Sequence, residues 1–475
     1  MRSYSICCSM LIVGFVYCQQ AANSVQLSSI FSDHMIVQRE QNFRVWGTGT
    51  PGEKVQITIG GQSKQTTADR ERNWMVTFPP LKPSLNLSMT VKGSNRIVVN
   101  DIQVGDVWIF AGQSNMNMPL GATDFKGAGC TEEVEKKLRV FRYATTGNSA
   151  SEKSFGSWSV PGRQRATDLP AIPLLFGRAL VQNKGVPVGA ILAGCDGAPL
   201  ETFMSPETIV KTHNSELKLC SPHVLTGNFK SRFAPILRLN VRGIAWYQGE
   251  SNLLASSAYK SELTEFIRDI RAKMNASSLP FLIVQLPNFG HRRPDNDPTD
   301  SFWADMRESQ FAATALKNVY IIVAIDTVAG SAPDLHPKEK TVIAERLANV
   351  AMKLMDGKPV SNPMFQSQRI DGDSIFLTFK NLEGPLKSKD GKNLRGFQLA
   401  AADGKFHWAD AEICGSEIKV TSDEVVVPAA VRYAWADNPD CNLCCEDMPV
   451  SPFRTDNWVT KPKLDALAFP AVGSR

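Results

Sequence analysis

The sequence predicts an α/β protein with a central parallel sheet covered by helices, and with smaller antiparallel β domains at both ends. Residues 24–100 consist of short β-rich runs, such as "EKVQITIGG" and "NWMVTFPP", separated by Gly, Pro and Asn turn signals. Residues 101–357 alternate apolar runs with helical segments, and the β pattern returns in residues 358–475. Such alternation indicates a parallel sheet with helices on both faces.

The middle region contains the elements from which this sheet would be built. Its predicted strands are "VWIFA", "VGAILAG", "VRGIAWYQG", "PFLIVQLP" and "VYIIVAID". Its predicted helices are "AIPLLFGRALVQN", "AYKSELTEFIRDIRAKM" and "KEKTVIAERLANVAMKLM". Sheets of this kind bind ligands at the carboxyl ends of their strands, so reactive side chains are expected there.

The first 23 residues are typical of a cleaved signal peptide. Arg2 provides a positive charge, Ile6 to Tyr17 form an apolar core, and small residues follow at Ala21 and Ala22. The alternative, a membrane anchor, needs an apolar run of about 20 residues, and the run from Ile6 to Tyr17 is too short for that. No later segment is long and apolar enough to cross a bilayer. We therefore expect a secreted or lysosomal protein without a membrane span.

The composition argues against nucleic-acid binding, and the predicted secretion decides how the cysteines are interpreted. The net charge is only +5 and no Lys/Arg run occurs. Outside the leader there are seven cysteines: Cys130, Cys195, Cys220, Cys414, Cys441, Cys444 and Cys445. In a secreted protein most are expected in disulfides, and "CNLCC" lacks the second Cys/His pair of a zinc site. Asn86 and Asn275 begin glycosylation sequons.

Polar, reactive residues follow the predicted strands of the middle region. One strand ends at residues 112–114 with Gly-Gln-Ser, and the next ends at residues 194–201 with "GCDGAPLE". A third ends at residues 247–252 with "YQGESN", and the last leads through a loop into residues 334–337, "DLHP". Because parallel strands end at the same edge of a sheet, these segments are expected to converge.

Together these segments contain the parts of a serine hydrolase. Ser114 is the candidate nucleophile, and His336 is the candidate base because its near-neutral pKa lets it accept and return a proton. Asp334 is placed to orient the imidazole, and Pro337 suits the first position of the next helix. Taken alone, Ser114 also suits a helix cap and Asp-x-His a surface turn. Their occurrence after successive strands favours the catalytic interpretation.

An oxyanion formed at Ser114 would need hydrogen-bond donors. The candidates are the backbone N–H groups of Ser114 and Gly197 and the side-chain amides of Gln248 and Asn252. Losing one such donor typically costs about 2.7–4 kcal/mol of barrier.

The motifs "GQSNM", "WYQGESN" and "DLHPKEK" resemble the signature blocks of SGNH-type serine esterases, specifically the sialate O-acetylesterases. The resemblance extends to "FSDHMIVQRE" near the N-terminus and to "RYAWADNP" and "PFRTDNW" near the C-terminus. It implies a flavodoxin-like three-layer α/β/α hydrolase domain with accessory β domains. It also implies removal of O-acetyl groups from sialic acids, especially at the 9-position, without a metal or organic cofactor. By motif position, Ser114 is the nucleophile, His336 the base and Asp334 the triad carboxylate.

The second block departs from the family's usual Gly-Gly-Thr and reads Asp196-Gly197-Ala198. A carboxylate about 4 Å from an oxyanion would repel it by roughly 4 kcal/mol at an effective dielectric near 20. We therefore expect Asp196 to point away or to carry a counter-ion. This departure keeps two alternatives open: an acetylesterase for other sugars such as acetylated xylan, and a glycan-binding protein with an impaired site.

An anionic sialic acid would also need a positively charged group near the site. The candidates from neighbouring segments are Arg238, Arg242, Arg292 and Arg293.

Overall fold

The computed structural model describes residues 24–127, 130–144, 155–162, 165–213, 224–292, 300–328, 334–360 and 363–460. The predicted signal peptide, Cys220 and Arg293 lie outside these ranges.

The N-terminal region forms the expected antiparallel layers. Its strands are β1 Gln26–Leu27, β2 Ile36–Gln38, β3 Phe43–Thr48, β4 Lys54–Ile59, β5 Gln62–Thr67, β6 Asn73–Phe78, β7 Leu87–Lys92 and β8 Arg96–Gly112. One layer has the order β1-β3-β6, and in the other β4 pairs with β5 and β7, which in turn pairs with β8. Strand β4 alternates strictly between exposed and buried residues, as a strand with one face on a core does.

Strand β8 connects this region to the central sheet without a break. Its first part pairs with β7, and its last residues pair with strands of the central sheet. Residues 102–112 are all buried, because helices or loops cover both faces there. The boundary that the sequence predicts at residue 100 therefore falls within one continuous strand.

The central sheet has the order β10-β9-β11-β8-β12-β13-β14. Its further strands are β9 Leu138–Tyr143, β10 Gly156–Ser159, β11 Val188–Leu192, β12 Gly243–Tyr247, β13 Phe281–Val284 and β14 Val319–Ile322. All neighbours are parallel except the edge strand β10, which runs antiparallel to β9. The chain first builds the side of β8 that contains β11 and then crosses to β12, so its direction of winding reverses at β8.

Helices pack against this sheet. They are α1 Ser114–Asn117, α2 Glu132–Lys136, α3 Ala171–Lys184, α4 Pro206–His213, α5 Ser256–Lys273, α6 Phe302–Ala312 and α7 Thr341–Met355. Helix α3 packs against α7, and α5 packs against α6. Short 3₁₀ segments cover Leu120–Ala122, Ala166–Asp168, Leu200–Thr202, Ala234–Ile236, Glu250–Ala255 and Ala313–Ala315, with a π-helical turn at Phe229–Phe233. Within the described ranges, no helix is long and apolar enough to cross a bilayer.

The C-terminal region returns to antiparallel β structure. Its strands are β15 Met364–Asp371, β16 Ser374–Lys380, β17 Leu386–Ser388, β18 Phe397–Ala400, β19 Phe406–Trp408, β20 Asp410–Cys414, β21 Glu417–Thr421, β22 Ala430–Tyr433, β23 Leu443–Cys445, β24 Met448–Pro449 and β25 Phe453–Arg454. They form sheets of order β15-β16-β21-β20, β17-β23-β24 and β19-β18-β22-β25. The predicted fold class, an α/β hydrolase domain with antiparallel β domains at both ends, is confirmed.

The cysteines do not follow the disulfide prediction. All those in the described part of the chain, Cys130, Cys195, Cys414, Cys441, Cys444 and Cys445, have free thiols. Cys444 and Cys445 are neighbours in one strand, so their side chains leave it on opposite faces. Their Sγ atoms donate instead to the carbonyls of Lys387 and Gly384.

Candidate active site

A glycine ends β8 where the nucleophile segment begins. Gly112 has φ +131° and lies beside Tyr247 of β12, and a Cβ on it would be 2.0 Å from the Tyr247 carbonyl oxygen. Only glycine permits both this backbone conformation and this close approach. The turn after Gly112 therefore emerges beside the end of β12, where the winding of the sheet reverses and ligands bind in such folds.

Ser114 and His336 lie together at this edge. Ser114 Oγ and His336 Nε2 are 2.7 Å apart, although the two residues are 222 positions apart in sequence. Ser114 is the first residue of α1, whose N-cap is Gln113, so its hydroxyl is not used as a cap. The predicted convergence of these two residues is confirmed, and the distance suits proton transfer between them.

Asp334 is not brought to the imidazole. Its exposed carboxylate accepts a hydrogen bond from the backbone N–H of Leu335 at 2.6 Å. Within residues 334–360 and the other described ranges, no carboxylate forms a hydrogen bond or ion pair with His336. The proposed orienting role of Asp334 thus has no direct contact to support it, and it stays a prediction.

The prediction that Pro337 begins the following helix is wrong. Helix α7 begins at Thr341, and the carboxylate of Glu339 accepts hydrogen bonds from the backbone N–H groups of Thr341 and Val342 at 2.5 and 3.2 Å. This cap satisfies donors of the first turn, so the helix starts after Glu339 rather than at the proline.

The two predicted backbone donors for an oxyanion lie in segments that follow β8 and β11. The N–H of Ser114 is at the start of α1, and Gly197 lies in the exposed turn after β11 with φ +64°. The Gly197 carbonyl accepts from Ser251 Oγ at 3.0 Å, which ties this turn to the segment after β12. Among the described residues, neither N–H has a hydrogen-bond acceptor. Both predicted backbone donors are therefore available to a ligand.

Gln248 has a different role from the one predicted. It is fully buried, and its amide nitrogen donates to the carbonyl of Ala198 at 3.2 Å and to Asn252 Oδ1 at 2.8 Å. Its Oε1 accepts from the hydroxyl of Tyr259 at 2.8 Å. Because both amide hydrogens of Gln248 are already used, its side chain connects the segments after β11 and β12 and does not provide an oxyanion donor.

Asn252 is also buried and holds the turn that precedes Glu201. Its Oδ1 accepts from the Leu200 N–H at 2.9 Å, and its amide donates to Glu201 Oε2 at 2.9 Å. One of its two amide hydrogens is thus used, and its role as an oxyanion donor stays a prediction.

Asp196 lies in the same exposed turn as Gly197. Its carboxylate accepts a hydrogen bond from Asn117 Nδ2 at 2.6 Å, and Gly194 allows this approach because a Cβ there would be 2.1 Å from Asn117 Oδ1. In the described part of the chain, no Lys, Arg or His forms an ion pair with Asp196. The described partner is therefore a neutral amide, and of the two expectations for Asp196 the counter-ion is not found among the described residues.

None of the described arginine candidates for binding a sialate carboxylate forms a hydrogen bond or ion pair with Ser114 or His336. Arg242 precedes β12, at the opposite end of the sheet, and its guanidinium Nε donates to Asp106 at 2.7 Å. Arg238 also precedes β12, and its carbonyl accepts from Arg44 in the N-terminal region. Arg292 forms an ion pair with Asp440 at 3.2 Å. The fold therefore separates Arg242 from Ser114 by the length of the sheet, and the binding roles of Arg238, Arg292 and Arg293 stay predictions.

Asn115, Glu250 and Lys340 form a buried polar network that was not predicted from the sequence. Asn115 Nδ2 donates to Glu250 Oε1 at 2.6 Å, and Lys340 Nζ donates to Asn115 Oδ1 at 2.8 Å. Burial lowers the pKa of Lys340 to about 8, although the nearby charge of Glu250 acts to raise it. Burial also raises the pKa of Glu250. All three lie inside the quoted motifs, and that position was the available signal.

Comparisons with known proteins agree with this geometry. Residues 104–353, which include both Ser114 and His336, match the family described as "Carbohydrate esterase, sialic acid-specific acetylesterase". The chain belongs to this family. It is therefore a carboxylic ester hydrolase, as the arrangement of Ser114 and His336 indicates.

Relatives match over nearly the whole chain. The sialate O-acetylesterase of Mus musculus is 26% identical, over 94% of this chain and 95% of its own length. The sialate O-acetylesterase of Pongo abelii is 25% identical, over 89% of each chain. A solved structure of a carbohydrate acetylesterase from Xanthomonas citri has a TM-score of 0.82 at 31% identity, covering 91% of this chain and 100% of that one.

Proposed function

We propose that this esterase removes O-acetyl groups from sialic acids, with the 9-O-acetyl ester preferred, through an acetyl-serine intermediate. The observation that carries the proposal is the 2.7 Å contact between Ser114 Oγ and His336 Nε2 at the edge of the sheet where ligands bind. The family and its sialate O-acetylesterase members support an acetylated sugar as substrate.

The first half of the reaction transfers the acetyl group to the enzyme. Ser114 Oγ attacks the acetyl carbonyl carbon while His336 Nε2 takes the hydroxyl proton. The N–H groups of Ser114 and Gly197 stabilise the oxyanion that forms, and Asn252 is a further candidate donor. When the tetrahedral intermediate collapses, His336 gives its proton to the departing sugar oxygen, which leaves an acetyl ester on Ser114.

The second half releases acetate. A water molecule attacks the acetyl-Ser114 carbonyl and passes a proton to His336 Nε2. The new intermediate collapses, His336 returns the proton to Ser114 Oγ, and acetic acid leaves and gives its own proton to solvent to become acetate. The enzyme is then in its starting state, and the hydrolysis of one ester bond has consumed one molecule of water.

The test combines a nucleophile variant with a substrate panel. Ser114→Ala should lower kcat on a chromogenic acetate by about a thousandfold or more, because the remaining groups cannot form the acyl-enzyme. Ser261→Ala is the matched control, since Ser261 is exposed on α5 and its hydroxyl only donates to the Ala258 carbonyl. Wild-type turnover by Ser114→Ala would refute the assignment. Preferential acetate release from 9-O-acetyl sialic acid over its 4-O- and 7-O-acetyl isomers would support the positional preference.

A second candidate is an acetylesterase for neutral sugars such as acetylated xylan. The carboxylate of Asp196, which has no ion-pair partner among the described residues, favours it, because this carboxylate would repel an anionic sialic acid. A higher kcat/KM on acetylated xylan than on 9-O-acetyl sialic acid would establish this candidate in place of the first. Retention of acetylated glycans without any acetate release would instead indicate the glycan-binding alternative.

We also propose that the protein enters the secretory path and is secreted or lysosomal. The proposal rests on the N-terminal leader, and the exposed positions of Asn86 and Asn275 suit glycosylation. Expression of the full chain in a eukaryotic cell tests it. Material in the medium or in lysosomes that shortens on glycosidase treatment is expected, and a cytosolic, unmodified chain would contradict it.

A further inference from the structure

We propose that Asn115 and Lys340 are positioning residues that hold the backbone on both sides of His336 and so place its imidazole on Ser114. The proposal rests on the proposed function of the Ser114–His336 pair. It explains how the ring is held at 2.7 Å from the nucleophile when no carboxylate of the described residues contacts it.

Asn115 holds the residue that precedes His336. Its side chain is 1% exposed, and Nδ2 donates both to the carbonyl of Leu335 at 3.1 Å and to Glu250 Oε1 at 2.6 Å. Asn115 directly follows Ser114 in α1. One side chain therefore ties the helix that carries the nucleophile to the loop that carries the base.

Lys340 holds the residue that follows His336. Its Nζ donates to the carbonyl of Pro337 at 2.5 Å and to Asn115 Oδ1 at 2.8 Å, and its side chain is 1% exposed. The ammonium also lies over the ring of Tyr247, 5.7 Å from its centroid, at the end of β12. The loop is thus fixed to the carboxyl end of the sheet and not only to α1.

The network leaves Asn115 only one orientation. Glu250 requires a donor, so Nδ2 must face it, and Lys340 requires an acceptor, so Oδ1 must face the ammonium. With the amide oriented this way, its second hydrogen reaches Leu335. Glu250 therefore acts through Asn115, while its other oxygen has no hydrogen-bond partner in the described part of the chain.

The charges of the network are consistent with a geometric role. The groups that face Lys340 are Glu250, Glu339 and Tyr247, and burial outweighs the two carboxylates in setting its pKa. A buried ammonium that is bound mainly to neutral oxygens is weak evidence for stabilisation of the fold. Its three contacts instead set the position of the His336 loop.

The decisive variants are Lys340→Met, Lys340→Gln and Asn115→Ala in the full chain. Lys338→Met is the matched control, because Lys338 is an exposed residue of the same loop. Lys340→Met and Asn115→Ala should each lower kcat on a chromogenic acetate by about 10- to 100-fold, since a misplacement of about 1 Å can cost about a hundredfold. KM should stay within about threefold, and Lys340→Gln, which keeps amide donors, should recover part of the loss. Lys338→Met should match the wild type.

Two further readouts separate positioning from a loss of stability. The rate at which an organophosphate labels Ser114 should fall in parallel with kcat in protein that remains folded by circular dichroism. The acidic limb of the pH profile of kcat/KM should move, because His336 would no longer be held at Ser114 Oγ. In the double variant Asn115→Ala/Lys340→Met the losses should not multiply, since both residues hold the same loop.

Several outcomes would overturn the proposal. For Lys340→Met and Asn115→Ala, these outcomes are a kcat within about threefold of the wild type, an effect on KM alone, or an unchanged pH profile of kcat/KM. Failure of both Lys340 variants to fold would also overturn the proposal, because it would show that Lys340 has a structural role. If the wild type releases no acetate from any sugar, the proposed function fails, but the labelling rate of Ser114 still measures the effect of the variants on the Ser114–His336 pair. A wild type whose Ser114 is not labelled at all would overturn both proposals.

Discussion

Glu262 on α5 is predicted to make the stability of this protein depend on pH. The Glu262 side chain is 2% exposed. Its Oε1 lies 3.0 Å from His213 Nε2, but the two atoms are not aligned for a hydrogen bond. Its Oε2 has no hydrogen-bond partner among the described residues, and its surroundings include Glu201 and Tyr259. Burial, followed by the charge of Glu201, raises the pKa of Glu262 from 4.5 to about 8.

The direction of the effect follows from the proton balance. Between pH 4.5 and about pH 8 the unfolded chain loses a proton that the folded chain retains, so the free energy of unfolding falls as the pH rises. The pKa difference sets an upper limit of about 5 kcal/mol on this loss. Because protonated His213 can offset part of it, we expect Glu262→Gln to raise the free energy of unfolding by about 1–3 kcal/mol at pH 7.5. At pH 4.5 the gain should be below about 0.5 kcal/mol.

The assay is urea unfolding of the wild type and the variant at intervals from pH 4.5 to pH 8. Glu265→Gln is the matched control on the same helix, because Lys211 and Arg268 lower the pKa of Glu265. Glu265→Gln should slightly lower the free energy of unfolding at neutral pH, whereas Glu262→Gln should raise it. A stability difference for Glu262→Gln that does not change with pH, or a loss of stability at pH 7.5, would refute the reasoning.

Two other variants test the acidic residues near the site. Asp334→Ala should lower kcat/KM on a chromogenic acetate by less than about tenfold, because among the described residues its exposed carboxylate binds the Leu335 N–H and not His336. A thousandfold loss would show that Asp334 contacts His336 during turnover. Asp196→Asn keeps an acceptor for Asn117 but removes the charge. It should raise kcat/KM for an anionic sialate ester relative to a neutral acetylated sugar by about 2- to 10-fold, and an unchanged ratio would contradict the repulsion argument.

Local patterns in the sequence predicted the elements and the reactive pair. The apolar runs that became β8, β11, β12, β13 and β14 are buried on both faces, and this burial is what continuous hydrophobicity indicates. Because parallel strands end at one edge, placing Ser114 and His336 after such strands was enough to predict their contact. The helical periodicity that predicted α3, α5 and α7 was equally local.

The roles of the polar side chains depended on packing. Gln248 was predicted to donate to a ligand, but Ala198 and Asn252 take both of its amide hydrogens. A sequence lists such donors without showing which acceptors lie within 3 Å of them. The sequence likewise did not show how the cysteines are arranged. Cys444 and Cys445 are adjacent in one strand, and their side chains therefore lie on opposite faces of it.

By itself the sequence determined the fold class through its periodicity and the family through the resemblance of its motifs, and it predicted Ser114 and His336 as nucleophile and base. Only the tertiary structure decided how His336 is held. Asn115, Glu250 and Lys340 come from three separate segments, and their hydrogen bonds exist only once α1, the end of β12 and the loop before α7 are packed together. Hydrogen bonding acts over about 3 Å in space, whatever the separation in sequence, and that is why no local pattern could reveal it.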